Sequence, residues 1–362
     1  MKTVTVHLES RSERTYDILI ETGLIRKIGR DLKKRAIGNR YLVVTDKNVA
    51  GLIGVEFVES LRSEGLNGEL FSIAAGEESK CAETVLKIAA GMTRSGFDRG
   101  SAVIALGGGV VGDIAGFASA IYMRGIPYVQ VPTTLLAQID SSVGGKTAID
   151  TEHGKNLLGA FHQPKRVYID PALLRFLPEA EIRNGLAEMI KYAVIRDADL
   201  FDTLRLRRDE VLQLDESLIT RLIARCCEIK AAVVEKDEKE GGLRRILNFG
   251  HTVGHGIEAA SDFEISHGAA VSMGMAAAAG LSRIEGFIGR DVETKLIDIL
   301  KQYGLPVEIP SHIMLDSIMR HMKSDKKFVD GTPFFILMKA IGEVFVYDKL
   351  ALDKVNLFLS EP

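Results

Sequence analysis

The first half of the chain alternates short apolar runs with amphipathic stretches. Residues 40–45, 101–106 and 128–132 have the length and composition of buried strands. Between them, residues 82–95 repeat apolar positions with the period of a helix that buries one face. Residues 1–7 alternate polar and apolar side chains, which adds one further strand. Because strands that alternate with helices form βαβ units, this half predicts an α/β domain with a mostly parallel sheet.

The pattern changes near residue 170. Long stretches with helical periodicity follow, and the only strand signals are a predicted hairpin at residues 333–338 and 344–347. A chain of 362 residues is longer than one core usually organises. We therefore predict a Rossmann-like α/β domain at residues 1–170 and a mostly α-helical domain at residues 171–362, with the functional site in the cleft between them. The predicted helices of the second domain are residues 179–195, 217–236, 251–261, 268–285 and 293–303.

Composition narrows the class of protein. Hydrophobic residues make up 46% and charged residues 26%, a balance typical of soluble globular proteins. The sequence predicts no membrane span and no secretion signal. Three cysteines, Cys81, Cys226 and Cys227, argue against a disulfide framework and against a thiolate zinc site. A cytoplasmic protein is expected, and the net charge of −3 gives no support to a nucleic-acid partner.

A glycine-rich turn at residues 107–113 follows a predicted strand and opens a predicted helix. It satisfies the G-x-G-x-x-G pattern, in which glycines let the backbone approach a pyrophosphate at a helix N-terminus. The alternative is a tight strand-to-helix turn without a ligand. No acid lies at a strand end about 20 residues downstream to bind a ribose. Asp46, upstream, is the candidate instead, and Asn48, Glu77 and Lys80 could add polar contacts, so we predict a non-standard nucleotide site.

A second glycine-rich segment, residues 144–147, resembles the end of a Walker loop. That motif requires a glycine at position 140, where this chain has Asp140. ATP binding is therefore not predicted. Asp140 and Lys146 are better interpreted as a carboxylate and an ammonium that face a polar substrate, with loop capping and solvation as the alternative.

Histidines and one carboxylate in an apolar run indicate a metal site. His251 and His255 are four residues apart, so they share one face of a helix, and His267 follows soon after. Glycines within the same segment leave room for another group to approach that face. Glu188 lies in an apolar helical run upstream. Three protein ligands and an open position are usual in catalytic zinc sites, and the spacing does not select which histidine is spared. The alternative is a set of structural histidines.

Cationic and amide side chains accompany these motifs. Lys191 lies three residues after Glu188 and shares its helix face. Each lysine taken singly is more often simply solvated, but as a set they suggest a ligand with more than one anionic group. Arginine suits a carboxylate, whereas lysine and asparagine suit phosphate oxygens. The set comprises Lys146, Lys155, Asn156, Lys191, Lys230, Arg244, Lys326 and Lys327.

Taken together, these motifs closely resemble the 3-dehydroquinate synthase family. The resemblance covers about residues 40–330, and the motifs follow one another in the same order as in the family. The combination of motifs is specific, although no single motif would be. The matching segments are Asp46, Glu77, Lys80, residues 107–113, 132–134, 140–150, Lys155, Asn156, residues 185–192, Lys230, Arg244 and residues 247–255.

The resemblance implies an enzyme of the shikimate pathway that depends on NAD and on Zn²⁺ or Co²⁺. It implies a lyase that converts 3-deoxy-D-arabino-heptulosonate 7-phosphate to 3-dehydroquinate and phosphate, and a homodimer. One alternative is another sugar-phosphate cyclase, whose substrate lacks a carboxylate and would not need both Lys230 and Arg244. A second is a metal-dependent polyol or alcohol dehydrogenase, which would release NADH. A non-catalytic binding protein is disfavoured, because it would not need these matched pockets.

The resemblance also implies roles for single residues. Glu188, His251 and His267 match the metal ligands, which spares His255 for the phosphate side of the substrate. Asp140 and Lys191 would contact substrate hydroxyls, and Lys230 and Arg244 the carboxylate. The implied phosphate contacts are Lys146, Asn156, Asn248, His255, Lys326 or Lys327, and Arg124 of the partner subunit.

The positions that match NAD contacts lie mostly in the first half of the chain. One departure from the family pattern is Phe176, which replaces a threonine at a cofactor contact and puts NAD binding there in question. The implied cofactor contacts are Asp46, Asn48, Glu77, Lys80, Gly108, Gly109, Val110, Asp113, Thr133, Thr134, Lys146 and Lys155.

Overall fold

The computed structural model describes residues 1–6, 15–324, 328–329 and 332–360. The chain forms two compact units. The first unit consists of Met1–Leu177 and Glu216–Lys239, and the second of Pro178–Asp215 and Glu240–Pro362.

The strands and helices are numbered in chain order. The strands are β1 (Lys2–Val6), β2 (Tyr16–Ile20), β3 (Tyr41–Asp46), β4 (Gly68–Ile73), β5 (Ala102–Gly107), β6 (Tyr128–Pro132), β7 (Lys146–Thr151), β8 (Gly154–Phe161), β9 (Arg166–Ile169), β10 (Phe328–Val329), β11 (Thr332–Pro333), β12 (Phe335–Ala340) and β13 (Glu343–Tyr347). The helices are α1 (Ile28–Arg35), α2 (Lys47–Val49), α3 (Val55–Ser63), α4 (Ala82–Arg94), α5 (Gly109–Ile121), α6 (Glu179–Arg196), α7 (Ala198–Leu206), α8 (Arg208–Leu212), α9 (Glu216–Lys236), α10 (His251–Ala260), α11 (His267–Ile284), α12 (Arg290–Gln302), α13 (Leu315–Ser324) and α14 (Leu352–Ser360).

The first unit is built on a seven-stranded sheet in the order β1-β2-β9-β6-β5-β3-β4. Every neighbouring pair is parallel except β1 with β2. Side chains of β3 and β5 alternate between two apolar clusters: Val44 and Ala105 join the helices on one face, and Val43 and Ile104 those on the other. Burial on both faces explains why these strands are almost wholly apolar, and it confirms the predicted Rossmann-like α/β fold with a parallel sheet.

Helix α9 belongs to the first unit, although it lies after the predicted domain boundary near residue 170. It lies in the predicted helical domain by sequence, but it packs on β1 and β2 of the first unit. Its buried Cys227 donates a hydrogen bond from Sγ to the carbonyl oxygen of Gln138, 3.3 Å away. An amphipathic pattern shows that a helix buries a face, but not which sheet or helix covers that face.

The antiparallel hairpin of β7 and β8 was not predicted. Its first strand packs against α5, where a Cβ on Gly116 would lie 2.4 Å from Cγ2 of Thr147. Glycine at position 116 therefore allows this close contact. From the sequence alone, Lys146 is interpreted as an ammonium that faces a polar substrate, and the alternation of buried Thr147 and Ile149 is not used as a strand signal.

The second unit is mostly helical, as predicted. Its helices α6, α10, α11 and α12, like α9 of the first unit, begin and end within a few residues of the predicted stretches. The predicted late hairpin is present as β12 and β13. Its core joins α10, α11 and α13 to the hairpin, with Ile257, Met273 and Leu337 among the buried side chains. Within the ranges that the structure describes, no helix combines the length and apolarity needed to cross a membrane.

Candidate functional site

Helices α10 and α11 are in close contact at glycine residues, which brings the first turn of α11 beside α10. A Cβ on Gly274 would lie 1.8 Å from the carbonyl oxygen of Gly250, and one on Gly254 would lie 2.9 Å from that of Ala270. Any larger side chain at these positions would push the helices apart. Gly250 and Gly254, two of the glycines predicted to leave room for another group, therefore make room for α11. His267, the first residue of α11, consequently lies beside α10.

Helix α6 supplies a carboxylate to the same place. Asn184, Glu188 and Lys191 recur at helical spacing, so they share one face of α6. The Asn184 side chain accepts a hydrogen bond, at 2.5 Å, from the backbone N–H of Gly268, and thereby fixes the start of α11 against α6. Glu188 is fully buried and forms an ion pair with the equally buried Lys191.

Glu188, His251 and His267 form a compact group of possible metal ligands. The Nε2 atoms of His251 and His267 each lie 3.4 Å from Oε1 of Glu188. One ligand atom from each residue lies within 4.8 Å of the others. Two imidazole nitrogens and one carboxylate are the donor set of several catalytic zinc sites, with a position left for water or substrate. The residues present therefore fit a divalent ion such as Zn²⁺ or Co²⁺.

The orientation of both imidazoles is fixed through their other nitrogen. Nδ1 of His251 lies 3.1 Å from the carbonyl oxygen of Phe249, and Nδ1 of His267 lies 3.4 Å from Oε2 of Glu258. Burial opposes a charge on His267, but hydrogen bonds to Glu188 and Glu258 raise its pKa to about 9. The two carboxylates thus favour positive charge at this point, whether a proton or a cation supplies it.

Glu258 is a candidate site residue that the sequence analysis did not single out. It follows His251 by seven positions and His255 by three, so all three side chains share one face of α10. His255, Glu258 and His267 form a second group whose possible ligand atoms lie within 4.8 Å of one another. The helical spacing could have indicated that Glu258 lies beside the histidines, but the residue follows the end of the glycine–histidine motif at His255.

In the first unit, the carboxyl ends of the parallel strands line one edge of the sheet. The chain runs from β3 to β4 on one side and from β5 to β6 on the other, so β3 and β5 flank a topological switch point. Ligands of open α/β sheets bind at such points. Asp46 ends β3, and the glycine-rich turn follows β5, as the nucleotide prediction requires.

The glycine-rich turn is tightly enclosed. A Cβ on Gly108 would lie 3.1 Å from Cγ2 of Thr134, and one on Gly109 would lie 3.2 Å from Oγ of Ser141. Gly109 and Val110 open α5, whose first backbone N–H groups have no partner within the helix. Such a helix end can bind a pyrophosphate. Thr133 donates its backbone N–H to the carbonyl oxygen of Gly107 at 2.9 Å. This hydrogen bond joins residues 132–134, which contain predicted NAD contacts, to the glycine-rich turn.

Several predicted cofactor contacts pair with each other. Nζ of Lys80 lies 2.7 Å from Asp113 and 3.8 Å from Glu77, and Nζ of Lys155 lies 3.9 Å from Glu77. Burial opposes the charge of Lys80, yet Asp113 and Glu77 together raise its pKa. Asp46 caps α2 by accepting hydrogen bonds from the backbone N–H groups of Asn48 and Val49 at 2.8 and 3.1 Å.

Asp140 and Lys230 are brought together by α9. Nζ of Lys230 donates to Oδ1 of Asp140 at 2.5 Å and to its carbonyl oxygen at 2.7 Å. The resemblance assigned these residues to different groups of the substrate, whereas the structure makes them an ion pair. Asp140 lies in a π-helical turn, Ala137–Ser141, and such turns occur often at functional sites.

The β7–β8 hairpin separates two predicted phosphate contacts. Lys146 begins β7 and pairs with Phe161, whereas Lys155 and Asn156 lie near the turn of the hairpin. At about 3.3 Å per residue, roughly 16 Å of strand separates Phe161, the partner of Lys146, from Asn156. Asn156 donates its backbone N–H to Oδ1 of Asp150 at 2.7 Å. The structure therefore does not place Lys146 and Asn156 side by side.

The remaining predicted residues have distinct surroundings. Arg244 is only 2% exposed on a 3₁₀ helix, Leu243–Asn248, and Nδ2 of Asn248 donates to Glu240 at 2.5 Å. Arg124 is exposed in a turn after α5 and has a positive φ of 69°. Phe176 is 45% exposed, with the guanidinium of Arg175 5.2 Å from its ring centre. Lys326 and Lys327 lie outside the described residues.

Sequence comparison relates both halves of the chain to one family. Residues 70–184 match the family described as 3-dehydroquinate synthase N-terminal, and residues 185–328 match 3-dehydroquinate synthase C-terminal. A 3-dehydroquinate synthase of Desulforamulus reducens is 45% identical over 362 residues, which cover 100% of both chains. That of Thermodesulfovibrio yellowstonii is 42% identical over 350 residues, which cover 96% of this chain and 98% of the relative.

Solved structures of sugar cyclases have the same fold. The 2-epi-5-epi-valiolone synthase ValA of Streptomyces hygroscopicus subsp. jinggangensis, with NAD⁺ and Zn²⁺ bound, matches with a TM-score of 0.88 and 29% identity over 98% of each chain. A 2-deoxy-scyllo-inosose synthase complexed with carbaglucose-6-phosphate, NAD⁺ and Co²⁺ matches with a TM-score of 0.89 over 99% of each chain. At 24% identity, the second likeness shows the fold alone.

Proposed function

Because this chain belongs to the 3-dehydroquinate synthase family, we propose that it converts 3-deoxy-D-arabino-heptulosonate 7-phosphate to 3-dehydroquinate and inorganic phosphate, as a lyase of the shikimate pathway. The observation that carries the proposal is 45% identity to a 3-dehydroquinate synthase along the whole chain. The compact group of Glu188, His251 and His267 supports it, since it offers the donor set that such chemistry requires.

The proposed cofactors are NAD and a divalent ion, Zn²⁺ or Co²⁺. Glu188, His251 and His267 would bind the ion, which when bound lowers the pKa of a coordinated hydroxyl. The turn at Gly108 and Gly109 would bind the pyrophosphate of NAD, which when bound accepts a hydride and later returns it. The other proposed NAD contacts are Asp46, Asn48, Glu77, Lys80, Val110, Asp113, Thr133, Thr134, Lys146 and Lys155.

The chain's own residues would bind and orient a doubly anionic sugar acid. Arg244 suits the substrate carboxylate, because a guanidinium donates two parallel hydrogen bonds to it. Lys230, which holds Asp140, would add a second positive charge for the same group. Asp140 and Lys191 would position hydroxyls. The proposed phosphate contacts are Lys146, Asn156, Asn248, His255, one lysine of the pair Lys326 and Lys327, and Arg124 of the partner subunit.

A homodimer in the cytoplasm completes the proposal. Arg124 matches a family position at which an arginine reaches the partner's phosphate pocket, and here it is exposed with a left-handed backbone conformation. An exposed cation at a tight turn is suitably placed to contact a second chain. A molar mass of one chain by light scattering at assay concentration would contradict the dimer.

A substrate panel tests the activity directly. The protein is incubated with catalytic NAD, with Zn²⁺, and separately with the heptulosonate phosphate, sedoheptulose 7-phosphate and glucose 6-phosphate. We expect release of phosphate and formation of dehydroquinate only from the first substrate, because only that substrate carries the carboxylate that Arg244 and Lys230 would bind. NADH should not accumulate.

The other outcomes identify the alternatives. Turnover of sedoheptulose 7-phosphate or glucose 6-phosphate in place of the heptulosonate phosphate would indicate another sugar-phosphate cyclase. NADH produced in equal amount to substrate consumed would indicate a polyol dehydrogenase.

A further inference from the structure

We propose that Glu258 is a positioning residue for the metal site: it accepts a hydrogen bond from the Nδ1–H of His267 and so directs Nε2 of that ring toward Glu188 and His251. This inference rests on the proposed function, because it assigns a role beside the proposed metal ligands. Glu258 is not among the matching motifs that carry the resemblance, and its role is inferred from the contacts of its side chain.

Each of the two ring nitrogens of His267 faces a different carboxylate. Nδ1 lies 3.4 Å from Oε2 of Glu258, and Nε2 lies 3.4 Å from Oε1 of Glu188. A neutral imidazole donates from one nitrogen and offers a lone pair at the other. A carboxylate that accepts from Nδ1–H therefore leaves the lone pair on Nε2, where a metal ion would be bound, and makes that nitrogen a stronger donor.

His251 is arranged in the same way. Its Nδ1 faces the carbonyl oxygen of Phe249 at 3.1 Å, and its Nε2 faces Glu188 at 3.4 Å. Both histidines thus have an acceptor at Nδ1 and the Glu188 carboxylate at Nε2. Because the same arrangement occurs on two different helices, α10 and α11, we infer that Nε2 is the ligand atom of both histidines.

The turn between α10 and α11 holds Glu258 in reach of His267. The carbonyl oxygen of Glu258 accepts hydrogen bonds from the Ser261 hydroxyl at 2.9 Å and from the backbone N–H of Phe263 at 3.0 Å. Asp262 and Phe263 both have a positive φ, 50° and 63°, which is unusual for a bulky side chain such as phenylalanine. This tight reversal returns the chain to the face of α10 that carries Glu258.

Glu258 could instead bind the ion itself, with His255 and His267, since those three residues also form a compact group. That arrangement would use Nδ1 of His267, the nitrogen that faces Glu258. An ion at Nδ1 lies on the opposite side of the ring from Glu188 and His251. The Glu188 group contains the more deeply buried carboxylate, with 0% exposure against 8% for Glu258. We therefore assign the ligand role to Glu188 and the positioning role to Glu258.

The test compares Glu258→Ala with Glu258→Gln in the full-length protein. Zn²⁺ affinity is measured by competition with a chromophoric chelator, and the Co²⁺-substituted proteins are compared by their visible absorption bands. We expect Glu258→Ala to weaken Zn²⁺ binding about 10- to 100-fold. Glutamine keeps an oxygen acceptor for Nδ1–H, so Glu258→Gln should recover most of that loss and retain the wild-type Co²⁺ bands. Glu264→Ala, at an exposed glutamate of the same turn, is the matched control and should bind Zn²⁺ as the wild type does.

Each other result contradicts a specific statement. If Glu258→Ala binds Zn²⁺ within threefold of the wild type, the positioning role is wrong and the proposed function stands. If Glu258→Gln loses as much affinity as Glu258→Ala and its Co²⁺ bands change, Glu258 is a ligand and the assignment is wrong. If the wild-type protein binds neither Zn²⁺ nor Co²⁺, the metal requirement of the proposed function fails first. Should Glu258→Ala not fold, the glutamine variant still decides between the two roles.

Discussion

Replacing Glu188 by glutamine is expected to abolish turnover and to weaken Zn²⁺ binding by more than about 100-fold. Residues that only orient metal ligands contribute about 10- to 100-fold to metal affinity, and a ligand itself should contribute more. Glu188 is the only anionic member of its ligand group, and a neutral amide oxygen is a much weaker donor to Zn²⁺. Zn²⁺ affinity from chelator competition, measured beside phosphate release, checks both effects.

Glutamine is preferred to alanine because of Lys191. That lysine is 1% exposed and forms an ion pair with Glu188 inside the second unit. Truncating one partner of a buried pair costs about 3–5 kcal/mol of stability, so Glu188→Ala would combine metal loss with weakened folding. Glutamine keeps the volume and an oxygen beside Lys191.

Two further measurements make the Glu188 result specific. Urea unfolding in the presence of EDTA separates a folding defect from metal loss. Glu181→Gln, at an exposed glutamate of the same helix, is the matched control and should leave both metal affinity and turnover unchanged. Stoichiometric Zn²⁺ bound to Glu188→Gln with wild-type affinity would remove Glu188 from the ligand set.

Local sequence patterns predicted most of the fold. The fully buried β5 and the helix that begins at Gly109 follow from an apolar run and the glycines after it, because both signals arise within a few neighbouring residues. The placement of α9 did not follow, since an amphipathic pattern does not show which unit covers the apolar face of the helix. The β7–β8 hairpin was missed because its alternation is short and because Gly144 and Gly145, directly before it, resemble a ligand-binding loop.

The candidate site was predictable where a motif lies on one helix. His251 and His255 are neighbours by helical spacing alone, whereas the approach of Glu188 depends on how α6 meets α11. Pairs such as Lys230 with Asp140 join residues 90 positions apart, and no local pattern encodes such a contact. Glu258 shows a different limit: its spacing from His251 was visible, but a glutamate on a helix is usually solvated, so only the contact with His267 gives it a role.

Replacing Arg244 by alanine is expected to lower kcat/KM for the heptulosonate phosphate by roughly 30- to 1000-fold. This corresponds to about 2–4 kcal/mol of lost transition-state stabilisation, the usual cost of leaving a buried carboxylate without its charged partner. Arg244 is 2% exposed, so solvent would screen its interaction with an anion only weakly. Steady-state kinetics with saturating NAD and Zn²⁺ measures the loss.

Two variants make the Arg244 result interpretable. Arg244→Lys keeps the charge but not the paired hydrogen bonds, so we expect a loss intermediate between those of wild type and Arg244→Ala. The neighbouring Arg245 has its guanidinium 4.4 Å from the ring centre of Phe334, and Arg245→Ala should change kcat/KM little. Equal stability of the variants in urea would exclude a folding defect. Unchanged kinetics in Arg244→Ala would show that the substrate carboxylate is bound elsewhere or that the true substrate lacks one.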